Sequence, residues 1–284
     1  MEDLAIVGRV EKLIKFSEYY IYNCLVLNQM CGGARTHPVI NFENIERFIN
    51  EVMNEDSRIG VSHGSYNPQQ TTRSPGSNFM CAFISDQDQK PVIDAMGWGI
   101  NLFPRYVSWQ TPIEGITLKN GFKRLINTQR CLVFISSFKE GKHYFSANEG
   151  QILVLGGIYR AQKDNLSEYQ VSIVTQPMIS KYSHIHDRCP IILFGQAMIR
   201  LWLRGERFDE RLFVQPDILT EYIKLHDGVS SIAGPLLFDD AINRRAEAII
   251  DDDIIIDIDT DSDGDIDIKM ESDPVDKVPP AICA

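Results

Sequence analysis

Between residues 79 and 175 the sequence breaks into five short apolar runs: FMCAFIS, PVIDAMGWGI, RCLVFISSF, QILVLGGIYR and EYQVSIVTQ. Clusters of Gly, Asn, Asp and Lys separate them. Short runs rich in Val, Ile, Phe and Tyr, punctuated by turn residues, read as strands. Helical signals flank and interrupt them. In NFENIERFINEVMN (41–54), Ile45, Phe48, Ile49 and Val52 share one face, and Asn41 or Asn44 can cap it. Residues 1–29 have helical spacing at Ile6, Val10, Leu13 and Ile14. A helix is expected over 118–128, and DILTEYIKLHD (217–227) reads as a capped helix. IILFGQAMIRLWL (191–203) suits strand or helix. Residues 62–78, rich in Gly, Pro, Ser, Thr and Asn, read as a loop. The expected fold class is α+β: a mixed, strand-dominated domain over 30–245.

Charge divides the chain in two. The net charge of -11 resides wholly in residues 246–284, which carry two Lys and thirteen acidic residues. The body before them is neutral, so the acidic pI does not argue against a nucleic-acid partner. The tail alternates Asp and Ile (DDDIIIDIDTDSDGDIDI). Its period suits a strand, but its self-repulsion and lack of aromatics favour a solvated, disordered segment.

The six cysteines (24, 31, 81, 131, 189 and 283) form no CxxC and no zinc spacing. The N-terminal segment has no signal-peptide pattern, and Tyr19–Leu27 is too short to span a bilayer. An intracellular protein with reduced thiols, no metal and no organic cofactor is expected.

Three places carry candidate chemistry. In Met30-Cys31-Gly32, a chain beginning at Cys31 would hold a free α-amine and a thiol on adjacent carbons. Such a 1,2-aminothiol attacks an aldehyde twice and closes a thiazolidine, whereas an internal Cys cannot. The alternative is an inert buried thiol. In Ser183–Pro190, His184 and His186 lie at i and i+2 beside Asp187 and Arg188. That arrangement suits acid–base work, weak metal binding or a local loop hydrogen bond. In Arg130–Glu140, an apolar run ends at Glu140, where burial would raise a carboxyl pKa. A surface hairpin Glu is the ordinary reading.

Together these segments resemble the SRAP (SOS response-associated peptidase) family. Met30-Cys31-Gly32 resembles its start. Tyr66-Asn67 through Thr71 is similar to its Tyr-Asn-x-x-Pro-Thr loop. Trp98-Gly99-Ile100 with Pro104 resembles its Trp-Gly segment, and Arg130–Glu140 its Arg-Cys-Leu…Phe-Tyr-Glu strand. Gly156–Tyr159 and Ser172–Thr175 echo two further strands, and Ile185–Leu193 closely resembles Ile-His-Asp-Arg-Met-Pro-Val-Ile-Leu. The likeness covers about 30–205.

The resemblance implies a β-barrel-like core with flanking helices. It also implies an abasic-site sensor that binds single-stranded DNA and links to the lesion's aldehyde through Cys31 as a thiazolidine. Glu140 would take a proton from the amine and assist sugar ring opening. His186 would donate to the departing ring oxygen. Asn67, Trp98, Pro104, Gln110 and Thr175 would contact DNA.

Several positions depart from the pattern. Gln110 stands where the family has Asn, Pro112 where it has Arg, and Gly33 where Arg follows Cys-Gly. Lys139-Glu140-Gly141 replaces Tyr-Glu-Trp. Residues 1–29 precede the motif, so the amine is blocked unless translation starts at Met30 or the segment is removed.

In the tail, Ile254, Ile255, Ile256 and Ile258 between acids resemble a SUMO-interacting motif, which adds a strand to a partner's sheet edge. Asp259–Gly264 echoes half an EF-hand loop but has Met270 at the closing position. Two other functions fit the same residues. One is a thiol peptidase using Cys31 and His186, which would tolerate an internal Cys31. The other is a non-catalytic DNA-binding module with a SUMO-binding tail. No membrane partner is expected. The location would be nuclear in a eukaryotic or viral setting and cytoplasmic otherwise.

Overall fold

The computed structural model describes residues 33–38, 40–53, 59–61, 66–67, 72–85, 89–103, 106–147, 152–162, 168–204, 208–213, 222–227, 258–260 and 266–268. The strands in chain order begin with β1 (Gly33–Arg35), β2 (Gly60–Val61), β3 (Thr72–Arg73), β4 (Asn78–Ile84) and β5 (Pro91–Trp98). Next come β6 (Ile100–Phe103), β7 (Tyr106–Ser108), β8 (Gln110–Pro112), β9 (Arg130–Ile135) and β10 (Ser137–Glu140). The series continues with β11 (His143–Ala147), β12 (Leu153–Ala161), β13 (Tyr169–Pro177), β14 (Arg188–Pro190) and β15 (Ile223–Asp227). Two tail strands, β16 (Ile258–Thr260) and β17 (Ile266–Ile268), pair antiparallel with each other. The described α-helices are α1 (Phe42–Met53), α2 (Asn120–Thr128) and α3 (Gln196–Arg204).

The expected α+β class holds, and the centre is a closed ring of hydrogen-bonded strands. β13, β12, β9, β4 and β5 pair in that order. β5 then pairs in parallel with β13 at Gly97↔Gln170 and Trp98↔Val171, which closes the ring. β13 therefore has partners along both edges: β12 then β14 on one, β5 then β8 on the other. Both faces are buried: RCLVFI and LVLGGIY are nearly continuous apolar runs, while β13 (YQVSIVTQP) also buries Ser172, Thr175 and Gln176. A second sheet runs β15-β11-β10-β1-β3.

The Gly156-Gly157 pair in β12 follows from close packing. A Cβ at Gly156 would lie 2.9 Å from the Trp202 ring, and one at Gly157 would lie 2.9 Å from Val133. α1 begins where expected: the Asn41 side-chain oxygen accepts the Asn44 N–H at 3.0 Å. Its predicted face (Ile45, Phe48, Ile49, Val52) is buried.

Three expectations change. RCLVFISSF is two strands rather than one. β9 lies in the ring and β10 in the second sheet, and the chain turns at Ser136, whose N–H donates to the Arg35 carbonyl at 2.8 Å. The apolar 191–203 segment divides at Gly195 (φ 79°): an extended stretch bridges Leu155↔Ile192, and α3 follows. Residues 223–227 are a strand and not the end of a helix. They pair with β11 from Ile223↔Ala147 to Asp227↔His143, so sheet pairing overrides the local helical signal. The proposed helix over 1–29 lies outside the described residues. So do Cys31, Pro104, Ile254, Ile255 and Ile256. Ile258 falls on β16, whose side chains are not described. Among the described residues no helix is long and apolar enough to cross a membrane.

Candidate functional site

β13 is the spine of the site. Directly opposed residues in paired strands lie on the same face. Val171 opposes Trp98, Ile173 opposes Gln110, and Thr175 opposes both Pro112 and Pro190. Pro177 opposes Arg188. One face of one strand thus orders Trp98, Gln110, Thr175 and Arg188 from end to end.

Each of these residues has a distinct environment. Trp98 is buried, packs against Phe79 and donates its indole N–H to the Trp109 carbonyl at 2.8 Å. It anchors the turn into β8 rather than presenting its ring to solvent. Gln110 is 5% exposed, and neither end of its carboxamide has a hydrogen-bond partner among the described residues. Such an orphan costs on the order of 1–3 kcal/mol. β8 itself is held by a buried hydroxyl triad. Thr111 Oγ1 lies 2.9 Å from Ser172 Oγ, and Ser108 Oγ lies 3.2 Å from Thr111 Oγ1.

Arg188 ties three segments together: its own strand β14, β13 and the turn at Glu114. Its Nε donates to Thr175 Oγ1 at 3.1 Å and its Nη2 to the Thr175 carbonyl at 2.8 Å. Its other donors form a bidentate pair with Glu114, at 3.0 and 2.7 Å. Burial alone would raise the Glu114 carboxyl. The hydrogen bonds and charge of Arg188, helped by Lys119, hold it below its usual value.

The backbone of Arg188 also fixes His186. Its N–H lies 3.1 Å and its carbonyl 3.2 Å from His186 Nδ1, so that nitrogen can accept from the first or donate to the second, and Nε2 is left facing Glu140. That nitrogen is 3.8 Å from Glu140 Oε2. Glu140 is 1% exposed, at the end of β10, and His186 is half-buried. Asp187 Oδ1 lies 3.1 Å from His186 Nδ1 and can accept a hydrogen bond from it. The structure therefore brings Glu140 and His186 together from the second sheet and from the turn before β14. A His and a buried carboxylate in this relation can exchange a proton through a small closure or a bridging hydroxyl.

β1 enters the same corner. Gly33 pairs with Lys139 and Ala34 with Phe138, beside Glu140 on β10. β3 follows on the far edge, where Ala34 pairs with Arg73. Sequence reasoning missed Arg73, which is 1% exposed. Its Nη2 donates to the Asn67 carbonyl at 2.7 Å and its Nε to Thr36 at 3.2 Å, and its guanidinium stacks 4.6 Å from the Tyr66 ring centre. Asn67 is thus held through its carbonyl and is exposed. The only signal in the sequence was a cation following the Tyr-Asn loop. Arg35, the cation nearest the family's missing Arg, lies 4.7 Å over Tyr144 and has a buried Nε without a partner among the described residues.

The described cysteines are poor nucleophiles. Cys81, Cys131 and Cys189 are buried. Burial pushes the Cys81 thiol well up. Burial, with the nearby Glu140 charge, pushes Cys189 up to about 12 against a hydrogen bond from Gln176. His184 is exposed on the turn, and among the described residues no group of three His, Cys, Asp or Glu could hold a metal ion.

Comparison with solved structures shows the fold. A Bordetella bronchiseptica protein matches with TM-score 0.54 and 12% identity, over 71% of this chain and all of that one. A phage-related protein from the same organism matches with TM-score 0.48 and 16% identity, over 74% of this chain and 99% of that one. A Bacteroides thetaiotaomicron protein matches with TM-score 0.44 and 19% identity, over 55% and 77%. No curated protein matches the chain. The family model for SOS response associated peptidase (SRAP) matches residues 30–226, more than half of the chain. Its start coincides with Met30-Cys31 and its span takes in every described element of the site. The chain belongs to the SRAP family, whose description ties it to the SOS response to DNA damage.

Proposed function

We propose that this protein recognises abasic sites in single-stranded DNA and becomes covalently linked to them through Cys31 once that residue is N-terminal. The observation that carries the reading is the Glu140–His186 pair, one member fully buried, at the corner where β1 enters the sheet. Gly33 is the second residue after Cys31, and two residues span at most about 7 Å of chain. Gly33 pairs with Lys139, next to Glu140, and in this reading the Cys31 amine and thiol act at that corner. Cys31 is the thiol that matches the start of the family pattern, and Cys81, Cys131 and Cys189 are buried.

The chemistry follows from the groups. The α-amine of Cys31 adds to the C1 aldehyde of the ring-opened sugar, and water leaves to give a Schiff base. Glu140 accepts the amine proton, and His186 Nε2–H supplies a proton to the departing oxygen. The Cys31 sulfur then adds to the same carbon while its proton passes to the imine nitrogen, closing a thiazolidine with no oxidant. In this reading Gln110 would turn its buried carboxamide, unpartnered among the described residues, out to the strand, and buried Arg73 would hold the Asn67 loop beside it. Pro112 supplies no cation, so the phosphate term should be smaller than a pattern with Arg there would give. The tail's Ile254–Ile258 stretch would recruit SUMO or a SUMO-modified protein by strand addition.

The test uses two oligonucleotides, one with a free abasic aldehyde and one with that aldehyde reduced to an alcohol. A protein starting at Cys31 should form a covalent adduct with the first alone and bind both. Equal yields of adduct, or peptide-bond cleavage that survives an internal Cys31, would replace this reading with a thiol peptidase.

A further inference from the structure

A second concave site lies beside β8, away from Glu140. It is a cavity of about 600 Å³, within the range of ligand pockets. Its shape follows from register. Asn78 on β4, Gly97 on β5 and Gln170 on β13 are paired directly across three adjacent strands, so all three lie on one face. Strands are spaced about 4.8 Å apart, so the two carboxamides flank a glycine slot roughly 10 Å wide. Two residues on, Gly99 has φ 118°, and the Trp109 ring occupies the place its Cβ would take. An aromatic wall thus stands next to the slot. Tyr169, Gln162 and Glu168 complete the rim.

The chemistry of this lining is specific. Gln170 Oε1 accepts the Asn101 N–H at 3.1 Å, and its NH₂ has no partner among the described residues. Carboxamides offer adjacent donors and acceptors, and a carboxylate accepts from an exocyclic amine. Among the described residues no cation lines the cavity. Arg160, which opposes Gln170, stands just outside it. A flat heterocycle with a hydrogen-bonding edge, stacked against an indole, matches these features.

We infer that this cavity is a nucleobase pocket, and that it takes an unstacked base of the same DNA strand that carries the lesion. The second part rests on the proposed function. β13 connects the two places: from Gln170 to Thr175 is about 17 Å along the strand, so the base captured lies a few nucleotides from the abasic site. The pocket would confer sequence context on a protein whose other contacts ignore sequence.

The experiment has two arms. Trp109 is partly buried while Trp98 and Trp202 are buried, so Trp109 should report on the pocket by its emission. Titration with the four nucleosides should give a saturable change for at least one, and ribose alone should give none. Gly97→Leu should abolish the change. A Cβ at Gly97 meets only ordinary contacts at 3.6 Å or more, so the added side chain fills the slot without strain at its base.

In the second arm, each base flanking the abasic site is deleted in turn. Deletion at one position should weaken binding about five- to hundredfold, and Gly97→Leu should erase that dependence. No response to any nucleoside overturns the base chemistry. A nucleoside response with uniform effects of base deletion overturns the in-strand occupant. A nucleoside response without any covalent adduct keeps the base pocket and sinks the crosslinking reading, so the two failures are distinct.

Discussion

His186 Nδ1 faces the Arg188 N–H and carbonyl and the Asp187 carboxylate, while Nε2 faces Glu140. The ring is thus held by Nδ1, and Nε2 is directed at the buried carboxylate. His186→Ala and Glu140→Gln should each slow adduct formation about 10²–10⁴-fold while leaving affinity for a reduced abasic strand nearly unchanged. Quenched time courses on matched oligonucleotides measure this, and a parallel loss of affinity would make the two residues binding contacts. Gln110 makes the opposite prediction about stability. Its buried carboxamide lacks partners among the described residues, so Gln110→Met should raise folding stability by about 1–3 kcal/mol and weaken DNA binding. Chemical denaturation reads the first effect and a binding isotherm the second. The resemblance pointed to Glu140, His186 and Gln110 from order and type alone. Trp98 was read as a DNA contact, yet the structure buries it with its N–H on Trp109. Arg73 could not be found from sequence because its importance lies in burial and stacking, which a lone cation in a loop does not announce.

At the scale of elements, the five strands of the ring were legible as short apolar runs with turn residues between them, and the family resemblance implied their barrel-like arrangement. Closure was not, because it depends on a two-residue parallel contact between β5 and β13 that no local pattern encodes. The exchange of helix for strand at 223–227 has the same origin: Ile223 and Leu225 suit either period, and β11 decides. The Ser108–Thr111–Ser172 triad fixes β8 on β13 and with it the position of Gln110. Thr111→Val should cost about 1–3 kcal/mol by leaving Ser172 short of a partner. It should slow adduct formation more than an equally destabilising change in α1, such as Val52→Ala. Equal kinetic effects at equal stability loss would reduce the triad to a structural role.

The Glu114–Arg188 pair adds a pH dependence. Because the folded Glu114 pKa is depressed, its contribution is present above the ordinary carboxylate range and is lost as pH falls through the folded value. Glu114→Gln should therefore narrow the stability gap between neutral and acid pH, as read by thermal melts across that range. An unchanged gap would remove the pair from the account.

For the whole molecule, charge is partitioned. The tail carries the entire net charge and the body none. Deleting residues 246–284 should raise affinity for intact single-stranded DNA and leave the melting temperature of the body unchanged, since like charges compete with phosphate in the same field. Salt titrations of both forms measure this, and a lower melting temperature would place the tail in the folded unit.

The central claim is that an N-terminal Cys31 is the group that reacts. Intact mass of two forms, one translated from Met1 and one from Met30, after incubation with an abasic single-stranded oligonucleotide tests it most directly. The account predicts that the Met30 form loses Met and gains the mass of the DNA less water, while an uncleaved Met1 form gains nothing. If neither form gains mass, or both do equally, aminothiol crosslinking by Cys31 is contradicted.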